Sequence, residues 1–183
     1  MSLRDENGRP ISGASVTVLQ RLSVPGASWT TARAPIVTDA DGRISWLVPA
    51  GPGRTIRFAY KANLDNTDFQ STQDLLLVVR SKSTLKTSRS FLHNGQTVRF
   101  SGRLKSKPVP TGGVLIDLQA KVGSRWQTFI TTRTKRSGAW AAKYRFRATR
   151  GLQTYQFRAR VRQDTGYPYA LSTTRVVRVK VKG

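Results

Sequence analysis

Apolar and polar residues alternate with a period of two along most of this chain, and no stretch repeats apolar positions at the spacing of a helix face. The clearest runs are Ala14-Val16-Val18, Ile44-Trp46-Val48, Ile56-Phe58-Tyr60, Val98-Phe100, Val114-Ile116-Leu118, Trp140-Ala142-Tyr144-Phe146, Tyr155-Phe157-Ala159-Val161 and Val177-Val179-Val181, each giving the phase expected to face a core. Leu85 to Arg89 and Thr97 to Lys105 add two more strand candidates. Gly, Pro, Asn and Asp separate these runs. Short strands punctuated in this way predict an all-β fold, a sandwich rather than a βαβ arrangement.

The pattern occurs twice. Pro10, Gly13, Ala14, Val16 and Val18 match Pro110, Gly113, Val114, Ile116 and Leu118 at an offset of 100. Trp29 then matches Trp126, Gly42 matches Gly138, Phe58 matches Phe157, and Ser71-Thr72 match Ser172-Thr173, the offset staying between 96 and 101. Loop insertions produce a drift of that size, so two related units are expected in tandem, 1–82 and 83–183, with the junction in the polar stretch Ser81 to Ser90. Ahead of the shared Pro-x-x-Gly element the second unit has two strand candidates, whereas the first has only Leu3-Arg4 and a turn at Asp5 to Gly8. The first unit therefore reads as lacking its opening strands, as a C-terminal piece of a longer chain would. An unpaired edge of this kind invites a strand-edge dimer.

Gly8 to Val18 (GRPISGASVTV), followed by Thr38 to Trp46 (TDADGRISW) and Val48-Pro49, resembles carboxypeptidase-regulatory-like (prealbumin-like) and bacterial Ig-like domains. Phe100 to Leu104, Gly123 to Trp126, Ser137 to Trp140 and Tyr155 to Arg158 are similar to Ig-like domains near the C-termini of actinobacterial exported proteins. The resemblance implies a non-catalytic spacer or stalk in the cell envelope or outside the cell, working beside other domains of a parent protein. It implies no enzyme and no cofactor, and no peptidase metal-ligand set occurs in the chain.

Composition narrows the chemistry. There are no cysteines and a single histidine, His93, in a Phe-Leu-His-Asn-Gly turn, which excludes disulfides, thiol nucleophiles, zinc clusters and Ser-His-Asp triads. No apolar run approaches the ~18 residues of a membrane helix, and no signal-peptide pattern follows Met1. Asp39-Ala-Asp41-Gly42 opens like a calcium loop but lacks its later ligands and reads as a turn. Asp65 and Asp68, the best carboxylate pair for glycoside hydrolysis, fall in a polar loop without the apolar surroundings that raise an acid's pKa. A hydrolase would need two of Asp39, Asp41, Asp65, Asp68 and Asp74 in one cleft. Glu6 is a weak candidate for assisting an isopeptide bond, and Asp117, opposite in phase to Ile116 and Leu118, is expected on the solvent face.

Charge goes beyond fold. The 183 residues carry 32 Lys or Arg against 9 acids, a net charge of +23. Residues 1–82 contribute +3, while residues 83–183, with 22 basic and 2 acidic groups, contribute +20. Lys143, Arg145 and Arg147, and then Arg158, Arg160 and Arg162, lie on the phase opposite the apolar one, as do Arg178, Lys180 and Lys182. Rows of like charge cost stability unless counter-ions or a polyanion sit on them, so the first six are the candidate contacts for an anionic polymer such as wall teichoic acid, an acidic polysaccharide or, nonspecifically, nucleic acid. A solvated exterior is the alternative. No motif for specific nucleic-acid reading is present. Trp29 and Trp126, holding equivalent places, suit packing beside the core better than sugar stacking, and Tyr167 and Tyr169 are candidate contacts at a loop tip.

Overall fold

A computed structural model describes residues 1–63 and 68–183, and among them every regular element is a β-strand. The chain divides into two compact units, Met1–Val78 and Val79–Gly183.

The second unit is a complete sandwich. Its strands are β5 (Lys86–Thr87), β6 (Phe91–His93), β7 (Thr97–Arg103), β8 (Leu115–Val122), β9 (Arg125–Arg133), β10 (Ala139–Arg145), β11 (Leu152–Val161), β12 (Ser172–Thr173) and β13 (Val177–Lys182), once the first unit's four are counted as β1 to β4. A small sheet runs β10-β7-β5 and a larger one β6-β13-β11-β8-β9, with β12 on the end of β11. Between them the inward phase of each strand meets in one core, including Val98, Phe100, Ile116, Leu118, Trp140, Ala159, Val161, Val179 and Val181. The aromatic centre is edge-on: Phe100 lies 4.9 Å from Phe157 and 5.9 Å from Phe129.

The first unit has β1 (Ser15–Leu22), β2 (Thr30–Val37), β3 (Arg54–Tyr60) and β4 (Ser71–Leu77), in one antiparallel sheet of order β2-β1-β3-β4. Its counterpart of the small sheet is absent among the described residues. The registers align the two units residue by residue. Val18 pairs with Phe58 as Leu118 pairs with Ala159, and both first strands carry a bulge toward the second at the same step, between Val18 and Leu19 and between Leu118 and Gln119. Ser71 opposite Tyr60 repeats Ser172 opposite Val161. The match of Phe58 with Phe157 is corrected by this register: Phe58 stands where Ala159 stands, and Ile56 takes the place of Phe157.

A turn common to both units joins the missing and retained halves. Leu3 N–H donates to Gly42 O at 2.8 Å, as Leu104 N–H donates to Gly138 O at 2.8 Å. Thr38 Oγ1 accepts from Ala14 N–H, and Thr134 Oγ1 from Val114 N–H. Gly42 and Gly138 hold φ of +69° and +83°, and a Cβ on either would stand 2.4 Å from the facing leucine carbonyl oxygen. Only glycine fits there.

One expected strand is not formed. Ile44-Trp46-Val48 keeps its alternation of half-buried and exposed side chains, yet Ser45 through Val48 make no backbone hydrogen bond among the described residues. Its counterpart Ala139–Arg145 is a strand because β7 pairs with it. The first unit offers only Met1 and Ser2 in that place, with Ile44 N–H donating to Met1 O at 3.0 Å and an isolated bridge from Ser2 to Arg43. Alternation alone cannot make a strand without a neighbour.

Candidate functional site

The candidate cations divide between two sheets. Lys143 and Arg145 stand on β10 in the small sheet, Arg147 lies just past its end, and Arg158, Arg160 and Arg162 belong to β11 and the residue after it in the larger sheet. Both sets point away from a core that lies between the sheets, so the structure does not gather the six on one face. The two sets also differ in chemistry.

On the larger sheet Arg158, Arg160 and Arg162 are engaged with other side chains. Arg160 stands directly across from Asp117 and places Nη2 2.9 Å from Oδ2, while Arg162 Nε reaches the same oxygen at 3.2 Å and Thr131 Oγ1 donates to Oδ1 at 2.8 Å. Asp117 is 1% exposed. It lies on the outer face, as its phase requires, but not in solvent: long arginine side chains lie over it. One rung along, Arg158 Nε donates to Gln119 Oε1 at 2.9 Å, Gln119 Nε2 donates to Thr128 Oγ1, and the guanidinium stacks 4.4 Å from the Trp126 ring. Burial, and then the neighbouring Arg160, lower the Arg158 pKa.

The first unit repeats this stack. Arg57, the register equivalent of Arg158, sits 4.2 Å from the Trp29 ring and makes a two-point ion pair with Asp74 at 2.7 and 2.8 Å, with Arg21 4.6 Å from the same ring. The hydrogen bonds from Arg57 hold the Asp74 carboxyl below its usual range. Trp29 and Trp126 thus share one packing role, but against arginines on the outer face rather than beside the core.

Tyr167 and Tyr169 are not a loop-tip contact. They are 2% and 9% exposed, and their hydroxyls donate to Ser106 O at 3.1 Å and Lys107 O at 2.6 Å, tying their loop to the one before β8. The Gly-led Tyr-Pro-Tyr sequence carries nothing to distinguish an exposed aromatic from one that folds back.

Among the acids, Asp39 Oδ1 accepts from Asp41 N–H and Arg43 N–H at 2.9 and 2.7 Å, the geometry of a turn. Asp65 lies outside the described residues. No group of three or more metal-ligating side chains occurs among the described residues. In the first unit a cleft of about 790 Å³ is lined by Trp46, Pro49, Pro52 and the ends of β1 and β2. Its one charged lining residue, Arg54, donates to the Pro49 and Pro52 carbonyls. The related cleft of the second unit, about 340 Å³, is narrowed by Phe129, Phe146 and Tyr155 where the first unit has Ala32, Ala50 and Arg54.

The small sheet keeps its charge. Arg99 stands directly opposite Lys143, Arg103 and Arg145 share their face, and no acid occurs on these strands. Of the four, Arg145 donates to a protein group, Gly95 O at 2.6 Å. Arg99 and Arg103 escaped the sequence reading although their phase, opposite to Val98 and Phe100, marks them as outward.

No family model matches the chain, and no curated protein does. Solved structures similar to it include the adhesin InvE of Yersinia pseudotuberculosis, at 14% identity over 98% of this chain and 52% of that one, with a TM-score of 0.37. The D0-D1 domain of intimin follows at 12% identity, 97% and 86% coverage and 0.35. A tetra-tandem repeat from the extending region of a large adhesion protein gives 13%, 92%, 42% and 0.43. The chain spans about half the length of the first. At such scores these likenesses decide nothing about role, and the sandwich architecture rests on the chain's own sheets.

Proposed function

We propose that this chain is a non-catalytic structural module, a pair of β-sandwich units of the spacer type in an exported or envelope-associated protein. One observation carries the reading: the side chains best suited to ligand work are engaged in joining strands and loops. Asp117 gathers two arginines, Arg158 stacks on Trp126, and Tyr167 and Tyr169 tie down a loop. The resemblance of Gly8 to Trp46 to spacer modules supports the same role.

A second property is favoured by the small sheet, where Lys143 and Arg99 face each other without an acid nearby. Weak adhesion to an anionic polymer relieves that repulsion. The test is retention of the full chain on immobilised wall teichoic acid or heparin as salt rises. The spacer reading expects retention to vanish by ~0.15 M salt, where the Debye length is near 8 Å. It also expects Arg99→Ser with Lys143→Ser to weaken low-salt retention, and Arg158→Ser to leave retention nearly unchanged while lowering stability. Retention that persists well above ~0.15 M would displace the spacer role in favour of a dedicated polyanion-binding module.

A further inference from the structure

Along β3, Arg54 shares its phase with Ile56 and Phe58, so a charge stands on the inward side where the second unit has Tyr155. Arg54 is 5% exposed. Its Nη1 donates to Pro52 O at 2.8 Å and its Nη2 to Pro49 O, and Gly51 leaves room for the group, since a Cβ there would stand 2.6 Å from Nη1. Two carbonyl dipoles answer only part of a full charge. None of the ion pairs among the described residues includes Arg54, and its buried Nε–H has no hydrogen-bond partner. A guanidinium withdrawn from water ordinarily has an anion beside it. Tyr155 brings a phenol to the same place, its hydroxyl 3.1 Å from Thr149 Oγ1.

Arg54 also lines the cleft of about 790 Å³, whose walls are mostly apolar and include Leu22, Ala32, Trp46, Pro49 and Pro52. The cleft does not lie where β7 adds to a unit. In the second unit β7 is paired, the corresponding cleft still opens, and none of its lining comes from β7. A volume near 790 Å³, apolar walls and one convergent charged group are the attributes of a small-molecule site.

We propose that this cleft binds a small amphiphilic carboxylate, whose apolar body lies against Trp46 and the prolines and whose carboxylate pairs with Arg54. The planar guanidinium matches a carboxylate in shape as well as in charge. Arg54 is the one charged lining residue, which selects a single negative charge; an anionic polymer needs a row of cations. The site is thus distinct from the small sheet carrying Arg99 and Lys143, and a spacer can carry it without change to its spacer role.

The probe is 4-phenylbutanoate, titrated into the full chain while the Trp46 indole N–H and Arg54 Nε–H resonances are followed by NMR. Both are expected to shift saturably, with a Kd of ~1 mM or tighter. Acetate, which has the charge without the body, and 4-phenylbutanamide, which has the body without the charge, are each expected to bind at least ~10-fold more weakly. Arg54→Met is expected to lower affinity at least ~10-fold, with β1 and β3 amides reporting that the unit stays folded. Because that change also removes the donors to Pro49 and Pro52, a second variant keeps Arg54: Ala50→Phe, which places in the cleft the side chain that Phe146 gives the second unit, is expected to lower affinity as much. Arg99→Ser with Lys143→Ser is expected to leave it unchanged. This pattern upholds the proposal. No saturable shift up to ~10 mM overturns it, as does undiminished binding in Ala50→Phe or in a folded Arg54→Met. Equal affinity for the amide overturns the carboxylate in favour of a neutral apolar ligand. Loss of binding in the Arg99 and Lys143 double variant overturns the site in favour of the small sheet.

Discussion

Asp117 and its arginines set the tone at the level of single residues. A carboxylate 1% exposed must have its charge answered nearby, and Arg160 and Arg162 answer it from the adjacent strand at 2.9 and 3.2 Å. Both arginines remain partly in water, so removing the acid costs less than breaking a wholly buried pair. Asp117→Ala is expected to lower the stability of the second unit by roughly 2 kcal/mol, read by urea unfolding near neutral pH. Tyr167 gives a pH-dependent counterpart. Burial raises its pKa above the ordinary tyrosine value, outweighing the lowering by its hydrogen bond to Ser106. The unfolded chain then loses the phenolic proton before the folded chain does. Its contribution to stability is complete below the unfolded value of about 10 and declines as pH rises beyond it. Tyr167→Phe should flatten the fall in stability above pH ~10 while costing about 1 kcal/mol at neutral pH through the lost bond to Ser106 O, as thermal scans at several pH values would show.

At the level of elements, the shared turn is where the fold is least tolerant. Gly138→Ala places a Cβ 2.4 Å from Leu104 O at a φ of +83°, whereas Gly123, at +58°, has nothing within 4 Å of the same added atom. The first substitution is expected to cost about 2 kcal/mol or more and the second about 1 kcal/mol, compared by urea unfolding of the full chain. Much of this level was legible in the sequence, because period-two alternation reports which side of a strand is covered. Val114 to Leu118, Tyr155 to Val161 and Val177 to Val181 fell into place with the phase assigned. Thr30–Val37, Ser71–Leu77 and Arg125–Arg133 did not announce themselves, since edge positions relax the demand for alternation. Ile44-Trp46-Val48 failed for the converse reason: it has the pattern and lacks the partner. The outward arginines were legible as a phase, but their division between sheets and their pairing with Asp117, Gln119 and Trp126 depend on cross-strand register, which a single sequence does not contain.

For the whole molecule, two similar units in one chain raise the question of how each strand finds its own sheet. Tandem repeats are prone to exchange equivalent strands during folding, and β1 and β8 are close in apolar pattern: Val16 and Val18 against Ile116 and Leu118. Their outward residues differ. Thr17 stands where β8 has Asp117, and Leu19 where it has Gln119. If β1 docked on β11, Arg160 and Arg162 would lose their carboxylate and Arg158 its amide. If β8 docked on β3, Asp117 would face Ala59 in place of Arg160 and lose the cation directly across from it. Either exchange forfeits the Asp117–Arg160 pair and mismatches the inner one, setting Val18 across from Ala159 or Leu118 across from Phe58, so the rung at Asp117 and the complementary sizes beside it serve as the proofreading step that keeps each repeat's strands within their own unit.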